Sequence, residues 1–555
     1  MAGMSVRGFR RGLALVVATA LCVTLTACGD DGEDNNESGS GGSIKVALST
    51  FTNEQLDPTM ESRSQVLQLL LPMFDTILEI GSDGAVEPGL AESWENSEDG
   101  LSWTFKLRRG VQFHGGYGEL TAEDVEFSLN RWMNPEGANE EVETVQGAID
   151  RIEVVDDYTF VIHTKGVRTD LPYLLAPHQA TAGIVFSKKY LTEAGEDFKA
   201  QVAAMNEKPI GSGPFEFVSH TRGSSVVMKA VAKHWRNTPT VKRVEFLLVP
   251  EVSTQVSMLK SGDADIIEVS GDQADEVEAS GGGLEIRSIP DGLGVGFLIP
   301  GTYREAAKDR PTQDVRVREA MSLAIDRKAI LDSLIGGRGS LPVTPWNTTK
   351  ATADIDVEYF TEKYATTMAY DPEKAKSLLA EAGYPNGVDG ITLDTFNRPG
   401  AANLPQLAEI VSAQWAKVGI KAKIRMQDYG NYRPHFVRAK ASDGYSAGWP
   451  VVYSSTARFD AFGAANTYIR YKDGPSIQLL RDPELDAKIP QINATADDEK
   501  RMALVTEIFD EADEQWVQVP LFNADFTYGV NSETVGEWTT FPSWAFLGRM
   551  LETAK

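Results

Sequence analysis

The sequence predicts an α/β protein with two or more lobes, and three observations support this prediction. The chain has 555 residues, which is more than one hydrophobic core usually supports. Its content of 42% hydrophobic and 24% charged residues is typical of a globular protein. Beyond about residue 290, helical patterns that end at glycine alternate with short strand patterns, and such units favour a sheet flanked by helices.

The first part of the chain predicts a mixture of strands and helices. Residues 44–49 alternate between apolar and polar side chains, which predicts the first strand. Residues 89–131 predict a half-buried strand, a glycine-rich turn and a helix. Thr121 and Asp124 have the spacing of an N-cap residue and its N3 partner at the start of that helix. Residues 152–162 predict a hairpin.

The later part of the chain repeats a helix–glycine–strand pattern. Asp371 is predicted to cap a helix that has Pro372 at its first position, and Gly383 is predicted to end it. Residues 407–418 form another apolar stripe at helical spacing. Residues 420–424 then alternate as a strand. These units give the α/β assignment for this region.

The chain is strongly acidic, with a formal net charge of −27. This charge excludes nucleic acid as a partner, because contacts from basic residues to phosphate dominate such binding and no basic tract offsets the acids. We interpret the acidity as a soluble, self-repelling surface. The alternative, a cleft that attracts cationic solutes, stays open.

The N-terminus predicts export and lipid attachment. Three arginines precede the apolar run 13–25, which is shorter than the roughly 20 residues of a membrane span. The run ends in Leu25-Thr26-Ala27-Cys28, which resembles a bacterial lipobox, so Cys28 is the predicted lipidation site. Residues 29–43 contain no apolar side chain and five acids, and they predict a flexible tether.

The residues that carry catalytic chemistry show no recognisable arrangement. Neither the HExxH metalloprotease pattern nor a phosphate-binding P-loop is present, and the six histidines have no paired ligand spacing. We found no pair of a nucleophile and a base with a defensible spacing. The sequence therefore predicts a protein that is not an enzyme and needs no cofactor or metal.

Several segments together resemble one known family. Residues 89–131 are similar to the signature of the family 5 extracellular solute-binding proteins, whose members serve oligopeptide, dipeptide and nickel ABC importers. Further segments match that family in kind and order along the chain: Leu56-Asp57-Pro58, 209–215, 234–246, 261–266, 314–327 and 370–387.

The resemblance implies a bilobal type II periplasmic-binding-protein fold with an extra α+β subdomain. The expected division is a signal peptide at 1–27, a lipidated acidic tether at 28–43, lobe I from 44–58, 206–288 and 520–555, the extra subdomain at 59–205, and lobe II at 289–519. Residue patterns alone do not give these boundaries.

The resemblance also implies ligand-binding residues. Gly448 and Trp449 match a Gly-Trp pair that lines the cleft in the family. Arg398 is a candidate for a carboxylate or phosphate, with a solvated loop arginine as the alternative. Weaker candidates, placed by their segment only, are Tyr453, Asn53 and Trp346.

One position departs from the peptide-binding pattern. Members that bind peptides usually have Asp three positions after that Trp, where it pairs with the α-amino group, and this chain has Val452. An apolar side chain cannot neutralise a buried ammonium. Either Asp443 or Asp460 takes this role, or the ligand lacks a free amino terminus.

The expected function is capture of a solute by a lipid-anchored protein on the outer face of a bacterial cell membrane. The solute would be a peptide or peptide-like molecule, the partners would be an ABC permease and its ATPase, and the protein would be a monomer. Three alternatives remain open: a non-peptide solute such as a saccharide or metal chelate, a secreted hydrolase, and a surface sensor.

Overall fold

A computed structural model describes residues 42–61, 64–139, 142–177, 182–350, 352, 354–397, 403–437, 443–456, 458–471, 477 and 479–554. The strands in these ranges are β1 Ser43–Leu48, β2 Leu78–Ile80, β3 Val86–Pro88, β4 Ala91–Asn96, β5 Ser102–Leu107, β6 Ile149–Asp156, β7 Thr159–Thr164, β8 Phe215–Thr221, β9 Ser225–Ala230, β10 Arg243–Leu248, β11 Ile266–Val269, β12 Leu284–Leu298, β13 Gly339–Ser340, β14 Val388–Phe396, β15 Ile420–Gln427, β16 Val451–Thr456 and β17 Gln518–Asn531.

The helices lie in the segments between the strands and after the last strand. They are α1 Ser64–Leu70, α2 Ala122–Trp132, α3 Val142–Ala148, α4 Leu171–Leu174, α5 Lys188–Ala194, α6 Phe198–Glu207, α7 Val252–Ser261, α8 Asp272–Ser280, α9 Val315–Leu323, α10 Arg327–Ile335, α11 Val357–Thr367, α12 Pro372–Glu381, α13 Leu404–Lys417, α14 Tyr429–Tyr432, α15 Ala461–Tyr468, α16 Pro483–Ala494, α17 Asp498–Asp513 and α18 Leu547–Thr553. None of the helices in the described ranges has the length and apolar character needed to cross a membrane.

One large sheet organises the protein. Its 11 strands run in the order β15-β14-β16-β12-β17-β11-β1-β10-β9-β8, with β13 paired to β17. We call β11, β1, β10, β9 and β8, with the helices packed on them, the first half, and β14, β15 and β16, with theirs, the second half. The long antiparallel strands β12 and β17 pair with each other in both halves, so they join the two.

The pairing of β12 with β17 is interrupted at the middle. The register shifts between Ile289 and Leu293, where Pro290 has no N–H to donate to the ladder and Asp291 adopts a positive φ of 53°. A bulge at this place bends the strand and weakens its pairing locally. The two halves of the sheet therefore meet near a bulge in β12.

The apolar core is divided in the same way. One cluster of buried side chains runs from Ile44 to Ile289 and resumes from Phe526 to Ala554. A second lies entirely between Val295 and Phe522. A smaller third cluster combines Ala47 with side chains from 256–277. Residues 78–164 add a two-stranded sheet, β2-β3, and a four-stranded sheet, β4-β5-β7-β6, to the first cluster.

The elements predicted from local patterns are confirmed. Strand β5 and helix α2 lie in the segment 89–131, and both the N–H and the hydroxyl of Thr121 donate to Asp124 Oδ2, at 3.0 and 3.1 Å. The predicted hairpin is β6–β7, and the predicted first strand is β1. The helix α12 starts with Pro372 after the cap Asp371, whose side chain accepts a hydrogen bond from the N–H of Lys374.

Candidate functional site

A cavity of about 620 Å³ lies where the two halves of the main sheet meet. The first half, the second half and the connecting strands β12 and β17 all contribute to its wall. The described lining residues are Ser49, Pro250, Glu251, Val252, Ser253, Glu268, Val269, Ser270, Gly271, Gln273, Leu293, Val295, Leu334, Ile335, Arg338, Asn397, Asn403, Leu407, Ser454, Phe522, Ala524, Asp525, Phe526 and Thr527.

The connecting strands form the floor of this cavity. Leu293 and Val295 of β12 point into it, and so does Phe522 of β17. The alternate residues of β12 are glycines that face the other side of the sheet, where a side chain on Gly296 would collide with the carbonyl of Val519. Because side chains alternate along a strand, one face of β12 is apolar and open to the cavity. The floor is therefore made of the same strands that join the two halves.

The wall from the first half begins at the ends of parallel strands. Strands β1 and β11 are parallel neighbours, so Ser49 and Glu268 lie together at their carboxyl ends, the edge at which α/β sheets bind ligands. The N–H and the hydroxyl of Ser49 donate to Glu268 Oε2, at 3.1 and 2.8 Å. Gln255 fixes this pair: its amide nitrogen donates to Ser49 Oγ at 3.2 Å, and its carbonyl accepts from the N–H of Glu268 at 3.1 Å.

The wall from the second half carries neutral polar groups. Asn397 follows the carboxyl end of β14, Asn403 precedes α13, and Ser454 lies on β16. Leu334 and Leu407 supply apolar surface between them. This wall can accept and donate hydrogen bonds without offering a charge.

The two walls approach each other closely at one point. A Cβ atom built on Gly271 of the first half would lie 3.3 Å from the carbonyl oxygen of Leu334 and 3.6 Å from the side-chain nitrogen of Asn403. Arg338 also crosses this gap, with its Nη2 2.7 Å from Asp275 and 2.9 Å from Glu278 on α8. The Arg338 ion pairs therefore join the two walls at the cavity lining.

Two carboxylates of the lining, those of Glu268 and Asp525, lie in surroundings that are unfavourable for charge. Burial raises the pKa of Glu268 above its ordinary value, although the Ser49 hydrogen bonds act in the opposite direction. Burial also raises the pKa of Asp525, whose Oδ1 accepts a hydrogen bond of 3.1 Å from the N–H of Asp291. Both groups are therefore held at a cost that a nearby cation would reduce.

The Gly-Trp pair predicted for the cleft lies beside the second half, ahead of β16. Gly448 has a φ of 70°, and its N–H donates to the carbonyl of Pro300 at 2.6 Å. Trp449 is half-buried, with the guanidinium of Arg310 4.3 Å from its ring centre. Neither residue is among the described lining of the cavity.

The other predicted residues have different positions. Tyr453 lies on the face of β16 opposite Ser454, with its ring 5.9 Å from that of Phe436. Trp346 is only 2% exposed, and Asn53 is exposed. Arg398 and the lipidation site Cys28 lie outside the described residues. The assignment of these residues to ligand binding stays a prediction.

Sequence reasoning missed the residues that do line the cavity. Ser49, Glu268 and Asn397 lie at strand ends. A sequence signal could have found Glu268, because it is the only charged residue in the apolar strand Ile266–Val269. A charge in such a strand is expensive unless it has a partner or a function. Val452, in contrast, is fully buried and pairs with Phe297 in the core of the second half.

The comparisons with known proteins define the class. The profile of "Bacterial extracellular solute-binding proteins, family 5 Middle" matches residues 85–463. The dipeptide-binding protein of Escherichia coli K12 is 31% identical over 402 residues, which cover 65% of this chain and 67% of the relative. Heme-binding protein A of Haemophilus influenzae is 30% identical over 387 residues, 66% of each chain. The matches thus span about two thirds of these relatives' length.

Solved structures of similar fold are also binding proteins. The periplasmic binding protein AgaA from A. tumefacien R10, in complex with agropinic acid, superimposes with a TM-score of 0.72 at 24% identity, over 93% of this chain and 98% of that one. The fold is the bilobal type II periplasmic-binding-protein fold, as predicted. The chain belongs to the family 5 extracellular solute-binding proteins. It is a transport binding protein and not an enzyme.

Proposed function

We propose that this protein captures a small organic solute in the cavity between β12, β17 and the two walls, and delivers it to the permease of an ABC importer. The main support for this proposal is the lining of the cavity, which comes from both halves of the main sheet. Strands β12 and β17 join these two halves. A site built in this way changes shape when the halves move, which is how a binding protein signals occupancy to a partner.

We propose the division into lobes that is expected from the sequence: lobe I from 44–58, 206–288 and 520–555, the extra subdomain at 59–205, and lobe II at 289–519. The separation of the two larger core clusters near residues 289–295 and 522–526 supports this proposal. We propose that the bulge at Pro290 to Gly292 and the facing part of β17 act as the hinge. Ligand binding would shift an open–closed equilibrium toward the closed form.

The proposed solute is a peptide or a peptide-like molecule. Relatives are named for dipeptides and heme, and a structural neighbour holds agropinic acid, so the family does not fix one ligand. Val452 favours a second candidate, a solute without the peptide amino terminus, because it removes the carboxylate that peptide binders usually place there.

Mass spectrometry of solute released by denaturing protein purified from its native host tests this function. We expect one or a few small organic molecules in amounts near one per protein. Returning such a molecule at about 100 times its dissociation constant should stabilise the protein by about 2.7 kcal/mol in a thermal-shift assay. Chemical turnover of the solute during incubation, or a protein that is empty and unshifted by peptide and non-peptide panels, would contradict the proposal.

We also propose that the protein is a monomer anchored through a lipid on Cys28, at the outer face of the membrane. Replacing Cys28 by Ala should move the protein from the membrane fraction to the soluble extracytoplasmic fraction. Ser43→Ala, at the far end of the tether, is the control and should leave the protein in the membrane fraction. Membrane retention of the Cys28→Ala protein would disprove the anchor.

A further inference from the structure

The charges around the cavity do not balance. Its described lining contains three acids, Glu251, Glu268 and Asp525, and one base, Arg338. Arg338 already forms ion pairs with Asp275 and Glu278 on α8, so its charge is compensated from outside the cavity. The space that receives the solute therefore carries a negative field.

Glu268 is the most buried acid of the lining that lacks a cationic partner among the described residues. It is 8% exposed, and its hydrogen-bond partners are the neutral groups of Ser49 and Gln68. Among the described residues, no lysine, arginine or histidine forms an ion pair with it. A buried carboxylate with only neutral donors is costly to the fold, and an apolar residue would suit the neighbouring Ile267 and Val269 better.

The geometry shows what would reduce this cost. Glu268 lies at the carboxyl end of β11 and forms part of the cavity wall, so a solute in the cavity can reach its carboxylate. Asp525 of β17 lies on the floor of the same cavity. When the lobes close and water leaves, a cation beside these groups gains strength because the local dielectric falls.

We infer that the captured solute carries a basic nitrogen, as a primary ammonium or a guanidinium, and that Glu268, assisted by Asp525, binds this group. This inference rests on the proposed function and names the chemical class of its solute. Glu268 and Asp525 of lobe I then pair with the cationic group of the solute, which Val452 of lobe II cannot do. The neutral wall of Asn397, Asn403 and Ser454 is left for the uncharged polar groups of the solute.

Two measurements test this inference. In the first, the solute released from wild-type protein is treated with an acetylating reagent for amines and, separately, with a guanidinium-specific dione. One reagent should add its characteristic mass, and the modified solute should bind back at least about thirtyfold more weakly. A released solute that neither reagent modifies would overturn the inference while leaving the proposed function intact.

The second measurement compares variants of the full chain. Glu268→Gln keeps the shape and the hydrogen-bond acceptor but removes the charge, so it should weaken binding of the released wild-type solute by about thirtyfold or more. Glu276→Gln, on the exposed surface of α8, is the matched control and should bind as wild type does. Asp525→Asn is the second variant if Glu268→Gln does not fold, and it should also lose affinity. Wild-type affinity in both cavity variants would overturn the inference.

A wild-type protein that releases no solute would test the proposed function, not only the charge of the solute. If it releases no solute and no member of the peptide and non-peptide panels stabilises it, the proposed function fails, and this inference fails with it. A binding protein with a neutral or purely anionic solute overturns the inference alone. The two failures are therefore distinguishable.

Discussion

Individual buried charges determine much of how this chain holds its parts together. Asp75 is fully buried between α1 and β2, and its carboxylate accepts hydrogen bonds from Ser212, His234, Trp235 and Arg236 at 2.9–3.2 Å. Arg236 continues to Glu79 at 2.8 Å and to Glu552 at 3.0 Å. This network connects the segment between α1 and β2 with the segments around residues 212 and 234–236 and with helix α18.

Replacing Asp75 by Asn should lower the free energy of unfolding by about 1–3 kcal/mol, because it weakens the buried hydrogen bonds that Asp75 accepts, while Arg236 keeps Glu79 and Glu552 as partners. Burial alone would raise the pKa of Asp75, but the charges of His234 and Arg236 and their hydrogen bonds hold it well below its usual range. The stability that this carboxylate supplies is thus present above about pH 4 and is lost as the pH falls below that value.

Urea unfolding at several pH values measures this prediction. The difference between wild type and Asp75→Asn should be largest at neutral pH and should shrink below about pH 4. Glu98→Gln, which changes an exposed carboxyl, serves as the control and should follow wild type. A difference that does not change with pH would contradict the electrostatic explanation.

A Trp449→Ala variant tests whether a ligand-binding residue predicted from the family resemblance contacts the solute. The family resemblance predicts that Trp449→Ala weakens solute binding, although Trp449 lies outside the described lining of the cavity. The ring is half-buried against the second core cluster and the Arg310 guanidinium, so the variant should also lower the solute-free melting temperature. Isothermal titration with the released solute measures the affinity, and Trp94→Ala on β4 is the control. Wild-type affinity in Trp449→Ala would remove Trp449 from the site.

At the scale of elements, the connecting strands β12 and β17 depend on close backbone contact. A Cβ atom on Gly296 would lie 2.3 Å from the carbonyl oxygen of Val519, which is backbone and cannot move aside alone. On Gly294 the nearest atom, at 2.5 Å, is the side-chain oxygen of Asn347, which can rotate away. The two glycines therefore differ in how strictly they are required.

Gly296→Ala should destabilise the protein by about 1–3 kcal/mol, because overpacking of this size forces the strands apart. Gly294→Ala, two residues away on the same face, should cost clearly less. Denaturant unfolding of both variants measures the difference. Equal losses would show that backbone contact between β12 and β17 is not the cause.

At the scale of the whole molecule, Arg338 lines the cavity and pairs with Asp275 and Glu278 on α8. The double variant Asp275→Asn, Glu278→Gln replaces no described lining residue, but it leaves the charge of Arg338, which lines the cavity, without these two partners. We expect the open form to become more populated and solute affinity to fall by about two- to tenfold, because each exposed ion pair contributes only about 0.2–1 kcal/mol.

Small-angle X-ray scattering of the double variant measures lobe closure directly. Without solute its radius of gyration should exceed that of wild type, and saturating solute should bring both proteins to the same value. Lys328→Gln, which removes an ion pair within α10, is the control and should behave as wild type. An unchanged radius together with unchanged affinity would contradict a role for Arg338 in closure.

Local pattern was sufficient for much of the fold. The cap at Thr121 and Asp124, the strand around Phe105 and the helix after Asp371 are specified by residues within a few positions of one another. Such elements depend on short-range hydrogen bonds and on periodic burial, so the sequence predicts them. The family resemblance, which combines segments along the whole chain, gave the bilobal fold and the transport function.

By itself, the sequence determined the α/β class, the family, the absence of a recognisable catalytic arrangement and the loss of the usual aspartate at Val452. Only the tertiary structure decided that Ser49, Glu268, Asn397 and Asp525 surround one cavity. These residues are far apart in the chain, and they meet because β1 lies between β10 and β11 while β17 returns from the C-terminal part to pair with β11 and β12. Strand order and crossovers are set by the packing of the whole core, and no local pattern encodes them.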